Sequence, residues 1–239
     1  MGIEIGTIII SYYGMFIVLG ISVGVAEGYI LIKRYELEFN NFITLAGGAG
    51  LGGMIGAKVF YIIVSAPKID LSKILDEKYW ESLMSGGFVF YGGIVGGFVG
   101  VYICGKVFEI NSILYMQVCI PVIPLIHVFG RMGCQAVGCC YGIPYDGLGA
   151  VIYEHSPIAP NNIYLFPVQG LEAFLELCLA VYLFIYVYRK NDKKLKSIAI
   201  YLFFYSGLRF IVEFFRFDDE ERGIFWRLSF SQWISLLII

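Results

Sequence analysis

Charged residues are scarce in this sequence: they make up 15% of its 239 residues, and the formal net charge is only −2. Without a basic excess there is no reason to expect a nucleic-acid partner. Hydrophobic residues make up 59% of the chain, against roughly 45–50% in soluble domains. Together with a mean hydropathy of +0.77, this composition predicts an all-α polytopic membrane protein.

Two other features are also missing. The six cysteines are few for a chain of this length, so a disulfide scaffold is not the organising device. The N-terminal sequence MGIEIGTIII lacks a basic region and a small-residue cleavage pattern, so we expect no removed signal peptide. Since no internal repeat, linker or low-complexity segment interrupts the sequence, we predict a single domain over residues 1–239.

The apolar runs predict about seven transmembrane helices, because one span needs about 20 apolar residues. The predicted spans are Tyr12–Ile32, Phe42–Val64, Gly86–Cys104, Ile113–Phe129, Val168–Tyr188, Ile198–Phe215 and Leu228–Ile239. Glycines in the second span predict close, backbone-to-backbone helix packing. Pro121 and Pro124 in the fourth predict a kinked or broken helix. The last run is barely half a span.

The distribution of basic residues predicts the orientation. Over all loops, the two sides of the membrane hold nearly equal numbers of basic residues. The short loop Arg189–Lys196, however, alone holds five basic residues. Short basic loops mark the cytoplasmic side. We therefore expect the N-terminus outside, with Arg131, Arg209 and Arg216 toward the outer half of the membrane.

Residues 130–142 interrupt the apolar pattern. Their sequence, GRMGCQAVGCCYG, combines an arginine with four glycines and three cysteines. An arginine at membrane depth costs about 2.5–3.5 kcal/mol on insertion scales, and irregular backbone there must be covered by protein or line a water-filled cavity. We predict a broken, glycine-rich segment after the fourth span and a functional site at Arg131.

Further ionisable residues lie inside predicted spans, where such residues are functional hypotheses. They are Glu172 and Glu176 in the fifth span, and Tyr205, Arg209, Glu213 and Arg216 in the sixth. Within each span the spacing places them on one helix face. Because the planar guanidinium group binds phosphate bidentately, a buried cluster of arginines points to a phospholipid head group.

These residues also have structural interpretations. Arg209 and Glu213 could be an ion pair that fixes helix packing, and Glu172 could hydrogen-bond to the broken backbone. His127 is more typical of an interfacial histidine than of a catalyst. Its ordinary pKa of about 6.5 nevertheless suits a general base at neutral pH.

Three cysteines, Cys134, Cys139 and Cys140, lie close together in the sequence. The C-x4-C-C spacing lacks the second pair that structural zinc sites usually show, so we predict no metal site. A disulfide from Cys134 to either neighbour is the alternative if this segment faces an oxidising exterior. The other three cysteines are expected to pack as small apolar residues.

Six motifs follow one another from the first span to the last. They are Tyr13-Gly14; Phe90-Tyr91-Gly92-Gly93; Gly130-Arg131-Met132-Gly133-Cys134 with Gly138 and Gly142; Pro167-Val168-Gln169-Gly170-Leu171-Glu172-Ala173; Tyr205, Arg209, Phe210, Glu213, Phe214 and Arg216; and Leu228-Ser229-Phe230-Ser231-Gln232. In this order they resemble the motifs of the prolipoprotein diacylglyceryl transferases.

The resemblance implies a seven-span enzyme of the bacterial plasma membrane with its site open toward the outer leaflet and no cofactor. Such an enzyme moves the diacylglyceryl group of phosphatidylglycerol onto the lipobox cysteine thiol of a preprolipoprotein signal peptide, and glycerol phosphate leaves. We assign phosphatidylglycerol binding to Tyr13, Arg131, Glu172, Arg209 and Arg216. We assign catalysis to Tyr91, His127, Tyr205, Arg209 and Glu213.

The sequence departs from the family pattern at two motifs. The family's histidine on the third span is Tyr91 here, and tyrosine, with an ordinary pKa of about 10, is a poorer base. The asparagine after Gly-Arg-x-Gly is Cys134. Tyr91 favours two alternatives: a lipid head-group transferase with another acceptor, or a non-catalytic lipid-binding or transport protein. The retained polar residues at membrane depth favour the diacylglyceryl transferase.

Overall fold

The computed structural model describes residues 2–5, 8–66, 76, 78–81, 90–190, 192, 195–217 and 224–239. The helices are α1 (Tyr12–Arg34), α2 (Phe39–Ser65), α3 (Phe90–Val107), α4 (Ser112–Cys119), α5 (Val122–Val137), α6 (Val168–Lys190), α7 (Ser197–Val212) and α8 (Phe230–Ile238), with a 3-10 turn at Glu213–Phe215. Three antiparallel hairpins pair β1 (Gly2–Ile5) with β2 (Ile8–Ser11), β3 (Val151–Ile152) with β4 (Tyr164–Leu165), and β5 (Ile224–Phe225) with β6 (Leu228–Ser229). The mostly helical architecture confirms the predicted class, whereas the hairpins were not predicted.

The chain divides into two compact units. One comprises Met1–Leu37 and Met116–Ile239, and the other comprises Glu38–Tyr115. The predicted charged cluster lies entirely in the first unit, and Tyr91 lies in the second. The prediction of a single domain over residues 1–239 stays a prediction.

Four helices among the described residues are long and apolar enough to cross a membrane: α1, α2, α6, and α7 extended to Phe215. A fifth crossing results if α4 and α5 form one bent span. The predicted count of seven is therefore not confirmed. The described apolar part of α3 is shorter, over Gly92–Val107, and its predicted start at Gly86 lies outside the described residues. The nine residues of α8 are about half of the roughly 20 that a span needs.

The predicted break after Phe129 is misplaced. Helix α5 continues to Val137, so residues 130–137 are helical. The break lies instead between α4 and α5, which meet at 53° beside Pro121, as the prolines predicted. The helix ends at Gly138, whose φ of +78° is a left-handed cap that glycine adopts without steric cost.

Glycines bring helices into backbone contact in both units. A Cβ on Gly20 of α1 would lie 2.9 Å from Cβ of Phe129 on α5, and a Cβ on Gly133 of α5 would lie 3.0 Å from Cδ2 of Tyr13. In the second unit, a Cβ on Gly52 of α2 would overlap the carbonyl oxygen of Gly96 on α3. The glycines of residues 130–137 thus serve helix packing rather than a broken backbone.

Helix α6 is the central helix of the first unit, since it contacts α1, α5 and α7. It buries apolar side chains such as Leu183 together with two carboxylates, Glu172 and Glu176. Burying a charged carboxylate is unfavourable unless it is paired. The packing therefore requires partners for these two side chains from the neighbouring helices.

Candidate active site

Glu172 is the centre of a charged cluster among α5, α6 and α7. Its Oε1 lies 2.8 Å from Nη2 of Arg131 and 3.1 Å from Nη1 of Arg209. The residue is only 1% exposed. Two guanidinium groups from different helices thus share one carboxylate oxygen. The described partners of Glu172 are arginines, not the backbone of residues 130–142.

Arg209 also reaches a second buried carboxylate. Its Nη2 lies 2.8 Å from Oε2 of Glu213, and Nη1 of Arg216 lies 4.0 Å from the same oxygen. The expected ion pair of Arg209 with Glu213 is present, and Arg216 lies farther from the same carboxylate. With Arg131 and Glu172, three guanidinium groups meet two carboxylates, so the cluster has a formal charge of +1. That excess favours an anionic ligand.

Arg131 has a donor to spare. Its side chain is 11% exposed, and its buried Nε has no hydrogen-bond partner among the described groups. A buried unsatisfied donor costs about 1–3 kcal/mol. An oxygen of a bound ligand would remove that cost.

The helix directions explain why these residues meet. Arg131 lies near the C-terminal end of α5, Glu172 near the N-terminal end of α6, and Arg209 near the C-terminal end of α7. The neighbouring helices run in opposite directions, so these ends lie on the same side. At the other end, Nε of Arg34 donates to the carbonyl oxygen of Tyr188 at 3.3 Å.

The chain after α7 is tied to the segment after α5. Arg216 and Gly142 form an antiparallel bridge, and the N–H of Ile143 donates to the carbonyl oxygen of Phe215 at 3.0 Å. A Cβ on Gly142 would lie 3.0 Å from that same oxygen. This close approach fixes the backbone of Arg216 beside the cluster.

His127 pairs with Glu176 rather than with the arginine cluster. Its Nδ1 lies 3.0 Å from Oε1 of Glu176, which is fully buried. The ring centroid of His127 is 5.9 Å from that of Tyr205, and the imidazole side chain is 23% exposed. The sequence predicted His127 as a candidate but not its partner. The sequence nevertheless contained a signal for this pair. His127 lies one helical turn from Arg131, and Glu176 lies one turn from Glu172, so an Arg131–Glu172 pair brings His127 and Glu176 together as well.

The remaining predicted residues differ in how closely they approach the cluster. Tyr205 lies beside His127 and stacks on Tyr201 with ring centroids 5.4 Å apart. Tyr13 is the second residue of α1 and packs against α5 at Gly133. The backbone of Tyr91 is helical, but its side chain lies outside the described residues.

Gln169 and Tyr153 hold the loop that follows α5. Nε2 of Gln169 donates to the carbonyl oxygen of Cys139 at 2.9 Å and to the hydroxyl of Tyr153 at 3.3 Å. Burial raises the pKa of Tyr153, and the hydrogen bond from Gln169 offsets part of that effect. The sequence identified Gln169 only as part of a motif and missed Tyr153, since an aromatic residue in a polar loop carries no signal of its own.

The three neighbouring cysteines converge at the end of α5. Their Sγ atoms all lie within 4.8 Å of one another, and all three are free thiols. The N–H groups of Gly138 and Cys139 donate to the carbonyl oxygen of Cys134 at 2.9 Å and 3.1 Å, a capping pattern that returns Cys139 to Cys134. The sequence spacing predicted no metal site, and that stays a prediction; the fold brings the three thiols together.

Comparison with known proteins identifies the family of this chain. A family model for prolipoprotein diacylglyceryl transferase matches residues 1–239. The phosphatidylglycerol–prolipoprotein diacylglyceryl transferase of Clostridium tetani is 35% identical over 227 residues, which cover 95% of this chain and 88% of that protein. The second such enzyme of Clostridium perfringens is 32% identical over 241 residues, covering 99% and 90%. This chain therefore belongs to the prolipoprotein diacylglyceryl transferase family.

Proposed function

We propose that this protein transfers the diacylglyceryl group of phosphatidylglycerol to the lipobox cysteine thiol of a preprolipoprotein and releases glycerol phosphate. The observation that carries the proposal is the sharing of Glu172 by Arg131 and Arg209. It holds two guanidinium groups in a buried site that retains a positive charge. The substrates named for the relatives in Clostridium supply the chemical identity.

Arg131 and Arg209 bind the phosphate of the lipid and stabilise the negative charge that develops on it as it leaves. Such stabilisation is effective when the donors are fixed before the reaction. Glu172 fixes both groups, at 2.8 Å and 3.1 Å. Glu213 holds Arg209 from its other side, and Arg216 adds positive charge next to Glu213.

His127 is the general base in this proposal. The hydrogen bond of Nδ1 to Glu176 leaves Nε2 to accept the proton of the acceptor thiol. The resulting thiolate is the nucleophile. Its sulfur bonds to the diacylglycerol carbon that carries the phosphate, the carbon–oxygen bond breaks, and the electron pair leaves with glycerol phosphate. His127 thus replaces the family histidine whose position is Tyr91 here.

Two tyrosines complete the proposed site. Tyr205, next to the imidazole of His127, orients the base. Tyr13, at the start of α1 and against Gly133, contacts the lipid where it enters.

The orientation follows from the same helix ends. The basic loop Arg189–Lys196 begins as α6 ends, and the rule for short basic loops places it in the cytoplasm. The opposite helix ends, with Arg131 and Glu172, then face the outer leaflet, and the N-terminus lies outside. We propose seven crossings of a bacterial plasma membrane, with α3 and α8 as parts of the two shorter ones.

Complementation tests the proposal. The protein is expressed in bacteria depleted of their own transferase, and a model preprolipoprotein is followed for the gain of a diacylglyceryl group. The proposal expects modification of the lipobox cysteine and none when that cysteine is changed to serine. If correctly inserted protein leaves the substrate unmodified, the acceptor is different or the protein only binds lipid.

A further inference from the structure

The proposed transfer reaction does not use Cys134, Cys139 or Cys140. Cys134 lies in the last turn of α5, and the other two follow the left-handed Gly138. Cys134 is buried, whereas Cys139 and Cys140 are partly exposed. A small solute can therefore approach the cluster from the side of Cys139 and Cys140.

The backbone of all three residues is held in place before any ligand binds. The carbonyl oxygen of Cys134 accepts two N–H groups of the helix cap, and that of Cys139 accepts a hydrogen bond from Gln169 at 2.9 Å. Cys140 has a φ of +56°, a conformation that costs a non-glycine residue about 1–2 kcal/mol.

We propose that the three thiols form a binding site for one thiophilic divalent cation, with Zn²⁺ as the reference ion. Zinc–sulfur bonds of about 2.3 Å place the sulfurs of a tetrahedral site about 3.8 Å apart. The three Sγ atoms already lie within 4.8 Å of one another. Rotamer changes that bring them closer by about 1 Å or less therefore complete a three-sulfur ligand set.

The chemistry of the donors selects the class of ion. Thiolates favour soft or borderline metals such as zinc, cadmium and copper(I) over calcium or magnesium. Three thiolates leave a fourth position of a tetrahedral ion for water or an added ligand. A disulfide would use only two of the three sulfurs, so the mutual closeness of all three favours a cation.

The second group of ligand-type side chains is less suitable. His127, Glu172 and Glu176 also offer atoms within 4.8 Å of one another, but Arg131 and Arg209 occupy Oε1 of Glu172. A bound cation there would have to compete with two guanidinium groups. That group belongs to the transferase site.

Metal titration of the full-length protein tests the proposal. Protein purified in detergent with a non-thiol reductant is stripped of metal and titrated with Cd²⁺, following the ultraviolet thiolate-to-cadmium charge-transfer band. Zinc content after gel filtration is measured by mass spectrometry. We expect one ion per chain, and an affinity at least about tenfold weaker in Cys139→Ser and in Cys140→Ser.

Cys178→Ser is the matched control, because Cys178 is an exposed cysteine on α6 and its replacement leaves the cluster intact. It should bind the ion as the unchanged protein does. Gel filtration and thermal unfolding show that each serine variant is folded. The proposal is overturned if no ion binds, if both cluster variants bind normally, or if peptide mapping finds Cys134 in a disulfide in protein purified without oxidant.

Discussion

Replacement of Arg131 by alanine is the most informative perturbation of the charged cluster. It removes a guanidinium group that lies 2.8 Å from Glu172 and lowers the formal charge of the cluster from +1 to zero. Loss of one preorganised donor to a developing anion costs about 10²–10³ in kcat, or about 2.7–4 kcal/mol. We expect kcat to fall by at least this factor in Arg131→Ala and by a smaller factor in Arg131→Lys. Lysine keeps the positive charge but not the planar guanidinium group that binds phosphate bidentately.

The stability of the variant should change less than its activity. Removing one partner of a buried ion pair costs about 3–5 kcal/mol when the other charge is left alone. Here Glu172 keeps Arg209 at 3.1 Å, so we expect a cost below about 3 kcal/mol. Initial rates of peptide lipidation in phosphatidylglycerol vesicles and thermal unfolding in detergent measure the two effects.

Arg34→Ala is the matched control for this prediction. Arg34 also contacts α6, through the carbonyl oxygen of Tyr188, but at the end remote from the cluster. It should retain the activity of the unchanged protein. A near-normal rate for inserted Arg131→Ala would refute the phosphate-binding role.

Three further variants test other parts of the structure. Glu176→Gln should lower kcat at least about tenfold with little change in KM, since general-base catalysis contributes about 10²–10⁴. The loss of kcat should be smaller with a selenocysteine acceptor, which needs no base. An equal loss with both acceptors would contradict the role of Glu176 in orienting His127. Gly138→Ala should lower the unfolding temperature, because φ is +78° and the added Cβ would lie 2.5 Å from Oγ of Ser156, a strain of at least about 1–2 kcal/mol. Gly96→Leu should separate α2 from α3 at Gly52 and destabilise the protein by about 1–3 kcal/mol or more; normal unfolding temperatures would show that these close approaches can relax.

The residues of the charged cluster could be predicted because the sequence pattern is local and the free-energy cost of a charge in an apolar segment is large. A charge inside an apolar run needs a partner, and the four-residue spacing of Arg209 and Glu213 supplies one within a single helix. The sharing of Glu172 between Arg131 and Arg209 depends on three helices and their relative rotation. The sequence indicated the participants, and packing determined which oxygen each guanidinium group reaches.

The misplaced break shows why local rules were insufficient at residues 130–137. Glycines there were interpreted as backbone freedom, which is their role at Gly138. At Gly133, however, the absent Cβ makes room for Tyr13, a contact across more than a hundred residues that no local pattern shows. The prolines correctly predicted the kink between α4 and α5. A proline lacks the backbone N–H, so it removes a hydrogen bond within its own helix, and that effect is visible in the local sequence.

The convergence of the three cysteines also depends on contacts that the sequence spacing does not show. Their C-x4-C-C spacing matches no zinc pattern, because the convergence of Cys134 with Cys139 comes from the helix cap at Gly138 and not from a ligand motif. The hydrogen bond from Gln169 to Cys139 adds a contact from α6. Neither is visible as a spacing of cysteines alone.

The most direct test of the account uses purified protein in vesicles of phosphatidylglycerol with a peptide that carries a lipobox cysteine. Mass spectrometry follows the peptide, and an enzymatic assay follows free glycerol phosphate. The account predicts that the cysteine gains one diacylglyceryl group for each glycerol phosphate released, and that Arg131→Ala and Arg209→Ala lose both signals together. Glycerol phosphate released without peptide modification, or neither product from folded protein, would contradict it.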